Sequence, residues 1–300
     1  MGRVILVKSP TYATPTGGAP TGAADEFDDV TVTPNAMISA YRRLRSGYGG
    51  SAYRVRRVSD NAEQDIGFDG DGLVDTAALT SFVGGSDGRI VTWYDQSGNG
   101  RNFGTAGASL QPFVVTAGTL HTNLNGLPTV YFPTGPYVRG TAGSTLITST
   151  AYTHLAVARP TVAPNNSLPY QNNQLWQIQT RVGLAFKGTP VVQMHHYTSS
   201  HTSADVASEA VAMNCVAGAR FDGANVEPFF NGAEGTPLAA TSIGSYTDTN
   251  LIEIGVTFGN NYTGYMTEFA VWNTAISNDN INWAGASMAA VAGRTWTTVS

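Results

Sequence analysis

The feature that most restricts this chain is a succession of short apolar runs in its second half. "LPTVYF", "YTHLAVARP", "QLWQIQT", "RVGLAFKG", "PVVQMHHY", "AVAMNCVAGARF", "VEPFFNG", "LIEIGVTF" and "YMTEFAVWN" follow one another between residues 127 and 273, each bounded by Gly, Pro, Asn or Asp. No helical periodicity separates them. Parallel strands need crossover segments long enough for a helix, so these runs predict an all-β antiparallel sandwich. The composition fits: only 12% of the residues are charged, and the chain holds 34 Gly and 14 Pro. With 42% hydrophobic residues in 300, a large core can be built.

Ahead of the strands the texture differs. Residues 9–35 are rich in Thr, Pro, Gly and Ala, enclose the acidic knot "ADEFDD" and keep no period, which predicts an extended arm over residues 1–35 and a folded domain over 36–300. "NAMISAYRRLRSG" (35–47) reads as a short helix opened by Asn35 and closed by Gly47, and "SAYRVRRVSD" as a strand. "DGLVDTAALTSFVGG" predicts a second short helix, capped by Asp75 and ended by Gly84, and "SNDNINWAGASMAAVAG" a closing helix capped by Ser277.

The formal net charge of −5 gives no basic excess for nucleic acid or anionic membranes. Six arginines (Arg42, Arg43, Arg45, Arg54, Arg56 and Arg57) crowd one stretch, but Asp60, Glu63 and Asp65 follow at once, so ion pairing is expected before an anion site. The start "MGRVILVKSP" lacks the apolar core of a signal peptide, and no run is long enough to span a bilayer. Cys215 has no second cysteine to pair with and reads as a buried strand thiol.

The loop "WYDQSGNGRN" (93–102) is the densest polar turn. Asp95, Ser97, Asn99 and Gly100 match the opening of an EF-hand, whose twelfth position must be Glu and here is Ala106. The expected alternative is an ion-free corner, its side chains bonding nearby N–H groups while Gly98 and Gly100 supply positive φ. "FDGDGLVD" offers Asp69, Asp71 and Asp75 as calcium candidates, against a solvent loop entering a helix cap; no other cofactor is expected. His195 and His196 are neighbours in a strand and point to opposite faces, so even with His201 they match no zinc pattern.

Two stretches carry a resemblance. "ARFDGANVEPFFNGAEG" followed by "LIEIGVTFGNNYTGYMTEFAVWNTAIS" resembles the closing strands of concanavalin A-like and laminin-G-like jelly rolls. "AYRRLRSGYGGSAYRVRRVSDNAEQDIGF", continued through "VDTAAL" to "WYDQSGNGRN", resembles the amino-terminal half of the catalytic domain of fungal-type α-L-arabinofuranosidases, and of phage-encoded virion proteins sharing that half. The resemblance implies a concanavalin A-like jelly-roll β-sandwich with a few short helices. It also implies two catalytic carboxyl groups, about 5–5.5 Å apart for a retaining enzyme. The positions it implies for them fall in "LWQIQTRVG", with Gln177 and Gln179, and in "FGNNYTGYMTE", with Asn260 and Asn261, where no acid stands. Asp222, Glu227 and Glu253 are acids that folding could bring together, and Glu268 suits a structural hydrogen-bonding role.

On these grounds the expected function is that of a bacteriophage virion structural protein (capsid decoration, tail or fibre) without catalytic activity, made in the host cytoplasm and located in the virion. Expected partners are other virion proteins and further copies of the chain through residues 1–35, with host-surface or environmental glycans on the lectin-like sandwich; nucleic acid and membranes are not expected. Trp93, Tyr94, Asp95, Trp176, Tyr197, Asn260, Asn261 and Tyr262 are the carbohydrate-binding candidates by residue type and loop placement, against a core role for the tryptophans. The alternative is an α-L-arabinofuranosidase-like glycoside hydrolase.

Overall fold

A computed structural model describes residues 26–140, 151–161, 173–178, 182–187, 191–197, 201–207, 212–239, 252–257 and 260–300. In chain order the elements are β1 (Ala36–Ser39), β2 (Tyr53–Arg57), β3 (Glu63–Ile66), α1 (Thr76–Val83), β4 (Gly88–Trp93), β5 (Phe103–Gly104), β6 (Phe113–Thr116), β7 (Thr119–Leu120), β8 (Val130–Phe132), β9 (Val138–Gly140) and β10 (Tyr152–Pro160). There follow β11 (Asn173–Ile178), β12 (Val182–Lys187), β13 (Val191–Tyr197), β14 (His201–Ala207), β15 (Cys215–Phe221), β16 (Asn225–Phe230), β17 (Ala233–Glu234), β18 (Leu238–Ala239), β19 (Ile252–Ile254), β20 (Val256–Thr257), β21 (Asn260–Asn261), β22 (Gly264–Trp272) and α2 (Asn278–Ala292). Both α-helices start where the sequence predicts. Asp75 accepts the Ala78 N–H, Ser277 accepts the Asn280 N–H, and Gly293 closes α2 in the left-handed conformation.

All strand pairings among the described residues are antiparallel. The first layer runs β16–β15–β10–β22; the far edge of β22 is shared by β1 and β8, and β8 continues through β6 to β4, with β2 and β3 beyond. β4 hands on to β5 at Thr92 and Trp93, and from there β9, β19, β11, β12, β13 and β14 form the second layer. Between the layers lies one apolar cluster. Ala156, Ala217, Ala219 and Phe269 come from the first layer, Val138, Leu184, Phe186, Ile252 and Ile254 from the second. Burying one such large side chain contributes about 1.5–3 kcal/mol.

The outer face of the first layer is covered in two ways. At one end α2 and the segment 26–44 build a second core, in which Phe27 lies nearly parallel to Trp272 with centroids 6.4 Å apart and Ile281, Met288 and Val291 are buried. At the other end a single cross-strand row shields the sheet. Arg89 lies over Phe113, Phe113 adjoins Tyr131, Tyr131 adjoins Tyr265, and Arg159 lies over Tyr265, every step a register pair. The rings stand against one another, 4.9 Å apart for Tyr131 and Tyr265, so each covers its neighbour's face.

Two expectations change. The stretch predicted as a helix over 35–47 opens instead with strand β1. Ala36 and Ile38 pack into the central core and Met37 into the second one, so this apolar run is buried on both sides and pairs with β22 rather than presenting one helical face. The extended arm expected over 1–35 belongs, in its described part, to the domain: Phe27 and Val30 are buried, the Trp283 indole donates to the Glu26 carbonyl, and the Trp272 indole donates to the Val32 carbonyl. The packed domain therefore starts no later than Glu26; residues 1–25 lie outside the described residues.

The crowded arginines are largely paired. Arg45 meets Asp28, Arg54 meets Asp65 and Arg57 meets Asp60. Arg42 goes inside. Its Nε and Nη2 donate to the two carboxylate oxygens of Glu268, its Nη1 to Glu26 and its Nη2 to Ser287, while the Ser39 hydroxyl also donates to Glu268. Removing one member of such a buried pair strands the other charge, at about 3–5 kcal/mol. Arg42→Met should lower unfolding free energy by that amount in denaturant titration, and adding Glu268→Leu to it should restore part of the loss.

His154 gives a second measurable consequence. It is completely buried, and that burial alone pushes its imidazole down to about 3. The native state thus excludes a proton that the unfolded chain takes up below its ordinary value near 6.5, so the stabilisation is complete above that pH and shrinks as pH falls toward 3. Between pH 6.5 and 4 the wild type should lose on the order of 3 kcal/mol more than a His154→Leu variant, measured by denaturant midpoints across pH.

Candidate functional site

The polar corner at 93–102 is built to clamp the first described strand. Asp95 is buried and its carboxylate accepts from the Met37, Ser97 and Arg101 N–H groups and from the Ser97 hydroxyl. Gln96 accepts from the Leu44 N–H and donates to the Arg42 carbonyl; Asn99 donates to the carbonyls of Pro34 and Asn35. Gly98 and Gly100 hold φ of 87° and 69°, which L side chains adopt at a cost. Every ligand-like oxygen of Asp95 is thus spent on the chain itself.

This geometry corrects several sugar-binding candidates. Trp93 has no exposure and its indole donates to the Ser39 carbonyl; Asp95 is the clamp just described; Tyr262 is fully buried with its hydroxyl donating to the Tyr265 carbonyl. None of the three can meet a ligand. Aromatics beside a turn look alike in a sequence whether they face solvent or core, and here the core takes them. Tyr94 is partly exposed, but its hydroxyl is bound to Asp65, whose carboxyl the Arg54 hydrogen bonds hold below its ordinary range. The side chains of Trp176, Tyr197, Asn260 and Asn261 lie outside the described residues, as do those of His195, His196 and His201.

The calcium candidates do not converge. Asp69 accepts from the Asp71 and Leu73 N–H groups in its own turn, and Asp75 caps α1. Among the described residues no three His, Cys, Asp or Glu side chains are grouped to hold a metal ion.

One charged pair stands on the outer side of the second layer. Val138, Ile252 and Ile254 point into the core, so the alternation of β9 and β19 puts Arg139 and Glu253 on the outer side of the second layer. There the Arg139 Nε donates to Glu253 Oε1 at 2.5 Å, and its guanidinium carbon lies 4.5 Å from the centre of the Tyr137 ring. The arginine side chain is 43% exposed and the glutamate 15%. Register extends the row on both sides: Arg139 is paired with Gly104, Glu253 with Gln177, and Gln177 with Gly183. Gly255 ends β19 at a φ of 102°, where a Cβ would fall 2.5 Å from the Phe132 ring.

The other acids serve elsewhere. Glu227 is bound by Arg220, which also donates to Asn278 at the start of α2; Asp222 accepts from Ala224 and Asn225 within its hairpin turn; and Glu268 is the buried partner of Arg42. Of the four, Glu253 alone stands on the second layer. Its residue type was a visible candidate in the sequence, whereas Arg139 carries no local signal. The strand register brings the two together across 114 residues.

Comparison with known proteins bears on the fold. Residues 26–122 match the family "Alpha-L-arabinofuranosidase B, catalytic". The probable α-L-arabinofuranosidase B of Aspergillus fumigatus is 41% identical over 68 residues, 22% of this chain and 13% of that protein. An arabinofuranosidase structure complexed with arabinofuranosyl-α-1,2-xylobiose superposes with a TM-score of 0.62 at 17% identity, covering 90% of this chain and 65% of that one. A Glu→Gln variant of a GH54 α-L-arabinofuranosidase, soaked with 4-nitrophenyl α-L-arabinofuranoside, gives a TM-score of 0.59 at 18% identity over the same shares. The chain spans less than two thirds of the length of each of these relatives.

The fold is thus a β-sandwich of the kind seen in these enzymes, and resemblance to their catalytic domain is established. The expectation of a virion component without activity is overturned: the matches are to glycoside hydrolases, and residues 26–35 of the arm on which that reading leaned pack into the second core through Phe27 and Val30.

Asp95 supplies the test of the corner. Asp95→Ala leaves three backbone N–H groups and a hydroxyl without their acceptor, and should lower unfolding free energy by about 2–4 kcal/mol. Calcium or a chelator should leave the melting temperature of the wild type unchanged.

Proposed function

We propose that the chain is an α-L-arabinofuranosidase-like glycoside hydrolase domain whose sugar site lies on the outer face of the second layer, around Glu253 and Arg139. The observation that carries this reading is the family match over residues 26–122 in a chain whose fold follows arabinofuranosidases over 90% of its length. The local chemistry is compatible with it. Glycoside cleavage breaks the bond from the anomeric carbon to the leaving oxygen, delivers a proton to that oxygen and adds water to the carbon, and it develops positive charge on the sugar ring. A carboxylate held in place by a guanidinium can accept a hydrogen bond from a sugar hydroxyl and stabilise that charge.

A pair of carboxyl groups is needed, and strands β11, β12 and β13 contain no Asp or Glu. On the second layer the strand acids are Glu253 of β19 and Asp205 of β14. The test is release of 4-nitrophenol from 4-nitrophenyl α-L-arabinofuranoside, and of arabinose from an arabinofuranosyl-substituted xylo-oligosaccharide. Wild type should release both, and Glu253→Gln should lower kcat/KM by about 10–100-fold, the loss expected for one charge-assisted contact to substrate. No release from either substrate, with no binding of either by calorimetry, would reject this reading.

A further inference from the structure

We infer that Arg139 is the hydroxyl-reading residue of this face, its two terminal nitrogens clamping adjacent hydroxyls of a neutral furanose beside Glu253. The inference rests on the function proposed above and names a specificity determinant within the same site.

Three observations lead to it. Only Nε of the guanidinium is committed, to Glu253, so Nη1 and Nη2 project as a fork with no hydrogen-bond partner among the described residues. The plane of that fork is fixed from two directions, by the carboxylate and by the Tyr137 ring. In register the row is flanked by glycines, Gly104 beside Arg139 and Gly183 beyond Gln177. A sugar ring can meet the guanidinium edge-on there.

Charge selects the kind of ligand. Arg139 is already paired with Glu253, so a uronate or phosphate would compete with a carboxylate in place, whereas a neutral polyol adds hydrogen bonds without displacing it. The spacing that lets a guanidinium grip both oxygens of a carboxylate also suits two adjacent hydroxyl oxygens. Glu253, an acceptor only, takes the hydroxyl that Arg139 cannot. On the first-layer row Arg89 gives its Nη1 to the Ser109 and Gln111 carbonyls.

The experiment measures KM and kcat on 4-nitrophenyl α-L-arabinofuranoside, and calorimetric affinity for arabinofuranosyl-substituted xylobiose and its 2-deoxy and 3-deoxy arabinofuranosyl analogues. The proteins are wild type, Arg139→Lys and Arg139→Met. The exposed pair contributes little to stability, so all three should melt alike. Arg139→Met should raise KM and Kd by about 10–100-fold with kcat within about threefold, the pattern of lost uniform binding, and Arg139→Lys should fall between. Deoxygenation should cost wild type affinity and cost Arg139→Met none. Binding of the substituted xylobiose by Arg139→Met as tightly as by wild type, or an equal penalty for the deoxy analogues in both, overturns the role of Arg139 while leaving the proposed function standing. A wild type that neither binds nor cleaves any arabinofuranoside overturns the proposed function, and this inference with it.

Discussion

A single buried guanidinium holds three separate stretches of the chain in one place. Arg42, just beyond the end of β1, reaches Glu268 in the middle of β22, Glu26 ahead of the first strand and Ser287 in α2. Its side chain is 1% exposed and that of Glu268 is not exposed at all, so the charges have surrendered water and depend on each other. Apolar contacts between β1, β22 and α2 could form in several registers at similar gain. A charge pair in the interior is satisfied in one, because any slip by a residue puts the partner on the opposite face of the strand. The sandwich is assembled by hydrophobic burial, and this pair fixes which assembly is reached.

The same logic governs the corner at 93–102. Its oxygens resemble ion ligands by type and spacing, yet the acceptors of Asp95 are filled by N–H groups from Met37, Ser97 and Arg101. Two of these donors are local; the Met37 N–H belongs to β1. The loop is thereby a latch on the strand that leads to Arg42, and corner and ion pair act on neighbouring residues from opposite sides. Residues 26–122, where the likeness to arabinofuranosidases is densest, are thus concentrated in the part of the molecule that sets register.

Much of the fold was legible in the sequence for physical reasons. Strand runs bounded by turn residues mark antiparallel sheets, and the caps at Asp75 and Ser277 are local chemistry that tertiary structure leaves alone. The stretch at 35–47 misleads because its apolar residues serve two cores at once: Ala36 and Ile38 face one, Met37 the other, a pattern that neither a one-sided helix nor a one-sided strand displays. Segment 26–35 reads as an arm since its Pro, Thr and acidic residues hide two anchors, Phe27 and Val30. Trp93 and Tyr262 show the limit for sites. Residue type tells that a ring is large and partly polar, while exposure is decided by strands far away in the chain. Arg139 and Glu253 are invisible as a pair for the same reason.

The location of the candidate site follows from what the rest of the surface is already doing. The inner faces of both layers are consumed by the core. The outer face of the first layer is spent twice over, on α2 with the segment 26–44 and on the row of upright rings from Phe113 to Tyr265 with an arginine at each end. On the second layer the outer residues of β9 and β19 are instead a guanidinium and a carboxylate, paired with each other and bracketed in register by glycines. An exposed ion pair returns at most about 1 kcal/mol to stability, so its arrangement is cheap to alter without unfolding the protein. A surface where charge is ordered, side-chain bulk is withheld and stability is not at stake is the part of a sandwich free to be shaped by a ligand, and here that part is the face around Arg139 and Glu253.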